Sequence, residues 1–94
     1  MTRGLAEDER FYHLGLNKEG PWIRKEMGIG KTLKLLLDNR GKPVSLEQIT
    51  KVTGWQKPSK QMNENFVHMI SNWSPYIVEK IGKGKSATYQ IKIS

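Results

Sequence analysis

The sequence predicts one small α+β domain: a three-helix core closed by a C-terminal β-hairpin and preceded by an N-terminal extension that is partly helical. Three observations predict it. The chain has 94 residues, enough for a single compact core and too few for a second one. Three segments between positions 29 and 73 carry apolar residues at helical spacing. From Tyr76 onward, apolar and polar residues alternate on either side of a glycine-rich turn.

Residues 1–26 form the extension and 27–94 the domain. In the extension, Leu5 to Leu14 is expected as a short helix and Gly15 to Pro21 as a loop, although neither has a clean period. Its Leu5, Phe11, Tyr12, Leu14, Leu16, Trp22 and Ile23 are more apolar matter than a free tail exposes. The segment is therefore expected to lie over the first helix, either completing the core or forming a homodimer contact.

The first helix runs from Ile29 to Arg40, with Ile29, Leu33, Leu36 and Leu37 on one face and Lys31, Lys34 and Asp38 on the other. Gly41 and Pro43 supply its stop. After an extended Pro43-Val44, the residues Ser45-Leu46-Glu47-Gln48 have the form of a capping box. They open a short helix that buries Leu46, Ile49 and Val52 and ends at Thr53-Gly54. A turn with Trp55 and Pro58 leads to a third helix over about Ser59 to Trp73. Its apolar stripe is Met62, Phe66, Met69, Ile70 and Trp73, and its polar face is Lys60, Gln61, Glu64, Asn65, His68, Ser71 and Asn72. Ser74-Pro75 closes it. The strand Tyr76 to Ile81, the turn Gly82-Lys83-Gly84-Lys85-Ser86 and the strand Thr88 to Ile93 then make a hairpin with a basic tip.

Charge and composition narrow the function. Sixteen Lys and Arg against nine Asp and Glu give a net charge of +7. Residues 1–26 hold five of each sign, so the surplus lies wholly in 27–94, as expected of a body that meets a polyanion. No apolar run reaches the roughly 18 residues of a membrane span. There are no cysteines, which excludes disulfides, thiolate zinc sites and cysteine nucleophiles. The first ten residues lack the apolar stretch of a signal peptide, and an intracellular location, cytoplasm or nucleoid, is expected.

The order over residues 29–94 is helix, short extended piece, capped short helix, turn, longer polar-faced helix and basic hairpin. It resembles the winged helix-turn-helix family, above all in the run from Tyr76 to Ile91. The resemblance covers about two thirds of the chain. It implies binding of double-stranded DNA, with the third helix in the major groove and the hairpin, the wing, on the backbone or minor groove. A role in transcriptional regulation is the expectation. Proteins of this kind set the early residues of the second helix of the motif against base edges, here Ser59, Lys60, Gln61, Glu64 and Asn65. Lys60 suits guanine O6 or N7, Gln61 and Asn65 suit adenine, and Glu64 suits the cytosine amino group. Lys57, His68, Lys83, Lys85 and Ser86 are the expected backbone ligands, with Lys51 and Lys80 weaker candidates. No arginine follows Arg40, so the side chain most used on guanine is missing from the helix. With Glu64, that departure motivates an alternative: an interaction or DNA-targeting module of a larger nucleic-acid-processing assembly.

Other motifs give way to plainer readings. Gly28-Ile-Gly-Lys-Thr32 mimics the end of a phosphate-binding loop, but Lys25 stands where the first glycine belongs and no hydrophobic strand is expected before it. It reads as the entry to the first helix. Glu7-Asp8-Glu9 reads as a solvated helix face rather than an acid and base pair. His13 and His68 without cysteine do not make a zinc site. Trp73 and Trp55 are expected on the core. No catalytic residue, cofactor or metal is expected, and the chain is read as not an enzyme.

Overall fold

A computed structural model describes residues 3–93. It is a small α+β fold of three helices and two three-stranded antiparallel sheets. The N-terminal sheet has the order β1-β2-β3, with β1 at Leu5–Glu7, β2 at Phe11–Leu14 and β3 at Trp22–Arg24. Helix α1 spans Gly28–Asp38, the short strand β4 Val44–Ser45 and helix α2 Leu46–Thr53. A continuous helical run over 58–73, here α3, is followed by β5 at Tyr76–Ile81 and β6 at Thr88–Ile93. The second sheet has the order β4-β6-β5, so the returning arm of the hairpin sits between β5 and the short strand. No helix among the described residues is long and apolar enough to cross a membrane.

The extension is not helical as expected. Leu5 to Leu14 is a β-hairpin, and Glu7-Asp8-Glu9 lies at its turn rather than on a helix face. The cause is local: Asp8 Oδ1 accepts from the backbone N–H of both Arg10 and Phe11 at 2.8 Å, reversing the chain, and the aromatic residues after it favour strand. Of the loop 15–21, Leu16–Lys18 is a single 3-10 turn.

Tyr12, Leu14 and Ile23 of this sheet belong to the same buried cluster as Leu33, Leu36, Ile49, Met62, Phe66 and Ile70. The extension therefore completes the core of the monomer. Two close approaches hold it there. Trp73 packs on Gly15 and Gly20 while its carbonyl accepts from the N–H of Gly4 and Gly15. Gly30 of α1 lies directly on the Arg24 and Lys25 backbone. Gly28-Ile-Gly-Lys-Thr32 is the first turn of α1, where the Thr32 hydroxyl donates to the Gly28 carbonyl at 2.8 Å.

The capping box at α2 is present in both directions: Gln48 N–H donates to Ser45 Oγ at 3.1 Å, and Ser45 N–H donates to Gln48 Oε1 at 2.9 Å. Leu46 and Ile49 are buried, but Val52, expected with them, is 37% exposed. It stands in the last turn before Gly54 takes a left-handed conformation (φ 73°), and Trp55 beyond that turn packs against the core. At the C-terminus Tyr89 and Ile91 are buried, whereas Ile93 has passed the end of the core and is exposed.

Helix α3 departs from an ordinary α-helix. Its centre, Asn63–Ile70, has the wider π-type turn. In such turns residues four apart come closer to a straight line than the 3.6-residue period allows. Met62, Phe66, Ile70 and Ser74 are accordingly all fully buried, while Met69 and Trp73, expected in the stripe, are half-buried. The Ser71 hydroxyl donates to the Phe66 carbonyl five residues back, at 3.1 Å, and accepts from Val78 N–H at 3.0 Å. Ser71, expected on the polar face, thus ties α3 to β5.

Candidate nucleic-acid interface

The start of α3, the outer side of α2 and the tip of the C-terminal hairpin enclose an open groove of about 1010 Å³. Each wall follows from local chemistry. Pro58 begins α3, where its missing N–H costs nothing, and no side chain caps the remaining free amides. Gly54 turns the chain so that Trp55 reaches the groove floor. The Trp55 indole is braced by Gly28, where a Cβ would come within 2.8 Å of its Nε1. At the hairpin tip, Gly82 and Gly84 adopt positive φ (86° and 63°), and the Ser86 hydroxyl donates to the Lys83 carbonyl at 3.0 Å, closing a 3-10 turn. That turn sets Lys85 on the groove.

Lys57, Lys60, Lys80 and Lys85 line this groove, with Glu47 the acidic residue among them. All four lysines are exposed, and none forms an ion pair among the described residues. Elsewhere three lysines are matched, Lys25 with Glu7, Lys34 with Asp38 at 2.8 Å, and Lys92 with Glu79 at 2.7 Å, while Lys18, Lys31, Lys42, Lys51 and Lys83 form no ion pair among the described residues and are spread over the surface outside the groove lining. The carboxylate partners raise the pKa values of Lys25 and Lys34, through the hydrogen bond first and Coulomb attraction after it. Four such unpartnered cations line the one groove, and phosphate is an anion that a file of exposed ammonium groups fits.

Of the expected base-contacting residues, Ser59 and Lys60 stand in the groove. Lys60, Glu64, His68 and Asn72 form an exposed crest along α3, aligned by the wide turns. Gln61 and Asn65 flank it half-buried and engage each other, Asn65 Nδ2 donating to Gln61 Oε1 at 2.8 Å. Lys83 and Ser86 are exposed at the hairpin tip, outside the groove lining.

Sequence reasoning missed Glu47, Thr50, Gln56 and Asn63, which also line the groove. Asn63 lies between Ser59 and Lys60 on the wheel used to draw the polar face, close enough to the apolar stripe to be passed over. The α2 residues carried no signal, because the approach of the hairpin tip to α2 is a long-range contact.

His13 is buried, 3% exposed, with Nε2 2.8 Å from Asp8 Oδ2. Among the described residues no three His, Cys, Asp or Glu side chains gather as a metal would require. Comparison of the chain with family models, with curated proteins and with solved structures found no match.

Proposed function

We propose that this chain is a non-enzymatic, double-stranded DNA-binding protein of the winged helix-turn-helix kind, acting in transcriptional regulation. The observation that carries the reading is the groove in which four lysines without an ion pair among the described residues converge from the α2–α3 turn, α3 and the hairpin. The order α1, β4, α2, α3, β5, β6, with β4 paired to the returning hairpin arm, supports the same reading. A helix of α3's exposure enters a major groove about 12 Å wide, and its crest then faces base edges. In this reading Lys57 and Lys85 hold phosphates across the groove, with Lys83, Ser86 and His68 as outer backbone contacts. Ser59, Lys60, Gln61, Glu64 and Asn65 read bases, the Gln61 and Asn65 amides presented as a hydrogen-bonded pair.

The test is fluorescence anisotropy with random-sequence duplex across a salt series. A slope of log K against log salt between about −3 and −6 is expected, at about 0.9 per phosphate contact. Lys83→Ala is expected to weaken binding to all sequences alike, and Asn65→Ala to change the preference among sequences by about 1–3 kcal/mol. An equal loss on every sequence for Asn65→Ala removes it from base reading. Absence of binding at low salt overturns the DNA reading. It favours the second one, a module docking a protein within a nucleic-acid-processing assembly, for which Glu47 in the groove and Glu64 on the crest speak. A protein partner retained after nuclease treatment is the result that reading requires.

A further inference from the structure

The N-terminal sheet has a second face. Tyr12, Leu14 and Ile23 turn inward to the core, so the alternate positions Phe11, His13, Trp22 and Arg24 turn away from it. Trp22 is 61% exposed, held edge-on against His13 (ring centroids 4.5 Å) and Phe11 (5.7 Å). Arg24 lies over the Phe11 ring, its guanidinium carbon 5.9 Å from the centroid. Beside this projecting indole, between the β1–β2 turn and the turn into α1, opens a cavity of about 420 Å³. Phe11 lines it, with Arg10 and Arg24, and Glu9 and Glu26 stand at the same cavity.

A knob and a hole therefore sit side by side on one face. Such a face is self-complementary under a two-fold axis, where residue i of one copy meets residue j of the other and the reverse. We propose that this face joins two copies of the chain, the Trp22 of each entering the cavity between Arg10 and Arg24 of its partner. The cavity offers what an indole takes: an aromatic neighbour for edge contact and guanidinium groups for cation–π contact. Trp and Arg are also the side chains that most often dominate interface energies.

Charge selects a second copy as the occupant. Residues 1–26 carry no net charge, while the remainder of each chain carries the full +7, so a contact made by the extension brings together the segments of two copies that do not repel through net charge. The cavity has both signs on it, Glu9 and Glu26 with Arg10, Arg24 and a Lys25 already matched to Glu7, so each partner offers carboxylates to the other's guanidinium groups. Joining is through the face rather than by extending the sheet at β3, because the Arg24 carbonyl is covered by Gly30 of α1 and accepts from Met27 N–H. None of this depends on the DNA reading.

Sedimentation velocity of the full chain from about 5 to about 300 µM tests the proposal. The weight-average coefficient is expected to rise from monomer to dimer across that range, and Trp22→Ala to move the midpoint upward by at least about tenfold. Trp22 also covers His13, so Arg10→Glu at the cavity serves as a second variant: Arg10 is exposed and takes no part in the core. It is expected to move the midpoint in the same direction. A monomer throughout overturns the proposal. So does dimerisation unchanged by Arg10→Glu, which places the contact elsewhere.

Discussion

Asp8 makes three hydrogen bonds from an exposed turn, and a buried histidine depends on one of them. The bond from His13 first, and the backbone N–H groups of Arg10 and Phe11 after it, hold the Asp8 carboxyl well below the usual carboxylate range. A carboxyl whose folded pKa is depressed contributes stability that is complete above its unfolded value and is lost as pH falls through the folded one. Asp8→Ala is therefore expected to lower the melting temperature at pH 7, since it opens the β1–β2 turn and leaves the His13 Nε2–H buried without an acceptor. The gap between variant and parent is expected to hold constant down to about pH 5 and to narrow below about pH 4, where the unfolded parent takes up a proton at Asp8 that the folded parent still resists. Thermal melts by circular dichroism over that range decide it. A gap as wide at pH 2.5 as at pH 7 shows that the ionised carboxylate contributes nothing and that only the turn geometry matters.

At the scale of elements, the junction of the N-terminal sheet with α1 rests on one missing side chain. A Cβ at Gly30 would stand 2.1 Å from the Arg24 carbonyl oxygen and 2.6 Å from Lys25 Cα, both backbone atoms that no rotamer change relieves. Gly30→Ala is expected to destabilise the fold by about 1–3 kcal/mol, the ordinary cost of overpacking, although alanine is the better helix former. An unchanged denaturation midpoint would mean that β3 slides away freely. This junction also marks the limit of what the sequence reveals. The capping box of α2, the stop at Gly41 and the hairpin from Tyr76 were legible because each is written in neighbouring residues. The β1–β2 hairpin was not, because its turn depends on one Asp8 side chain within an acidic run that reads equally well as a helix face. The wide turns of α3 were invisible too: a helical wheel presupposes the period it is used to find. That one error sent Met69 and Trp73 to the stripe and left Asn63 out of the groove. Of the candidate site, the lysines were legible by type and by nearness to α3 and the glycine-rich turn. Their convergence with α2 was not, since it is made by the β4–β6 pairing across distant parts of the chain.

At the scale of the whole molecule, net charge matters less than which charges lack partners. Lys34 and Lys92 are exposed and basic but matched to Asp38 and Glu79, whereas Lys57 and Lys85 line one groove with no carboxylate partner among the described residues. Surface ion pairs add little stability, but they lessen the share of a lysine's charge that a polyanion meets. Replacing Lys57 and Lys85 together by alanine removes two units of charge, as does replacing Lys34 and Lys92. If binding followed total charge, the two double variants would behave alike. The arrangement predicts otherwise: Lys57→Ala with Lys85→Ala is expected to flatten the salt slope by about 2 and to weaken binding uniformly across duplex sequences. Lys34→Ala with Lys92→Ala is expected to leave the slope within about half a unit of the parent, because counterions released by the DNA are displaced only by cations that touch it. Equal slopes in the two variants would show that the groove is no contact surface and that the protein attracts DNA through its overall field alone.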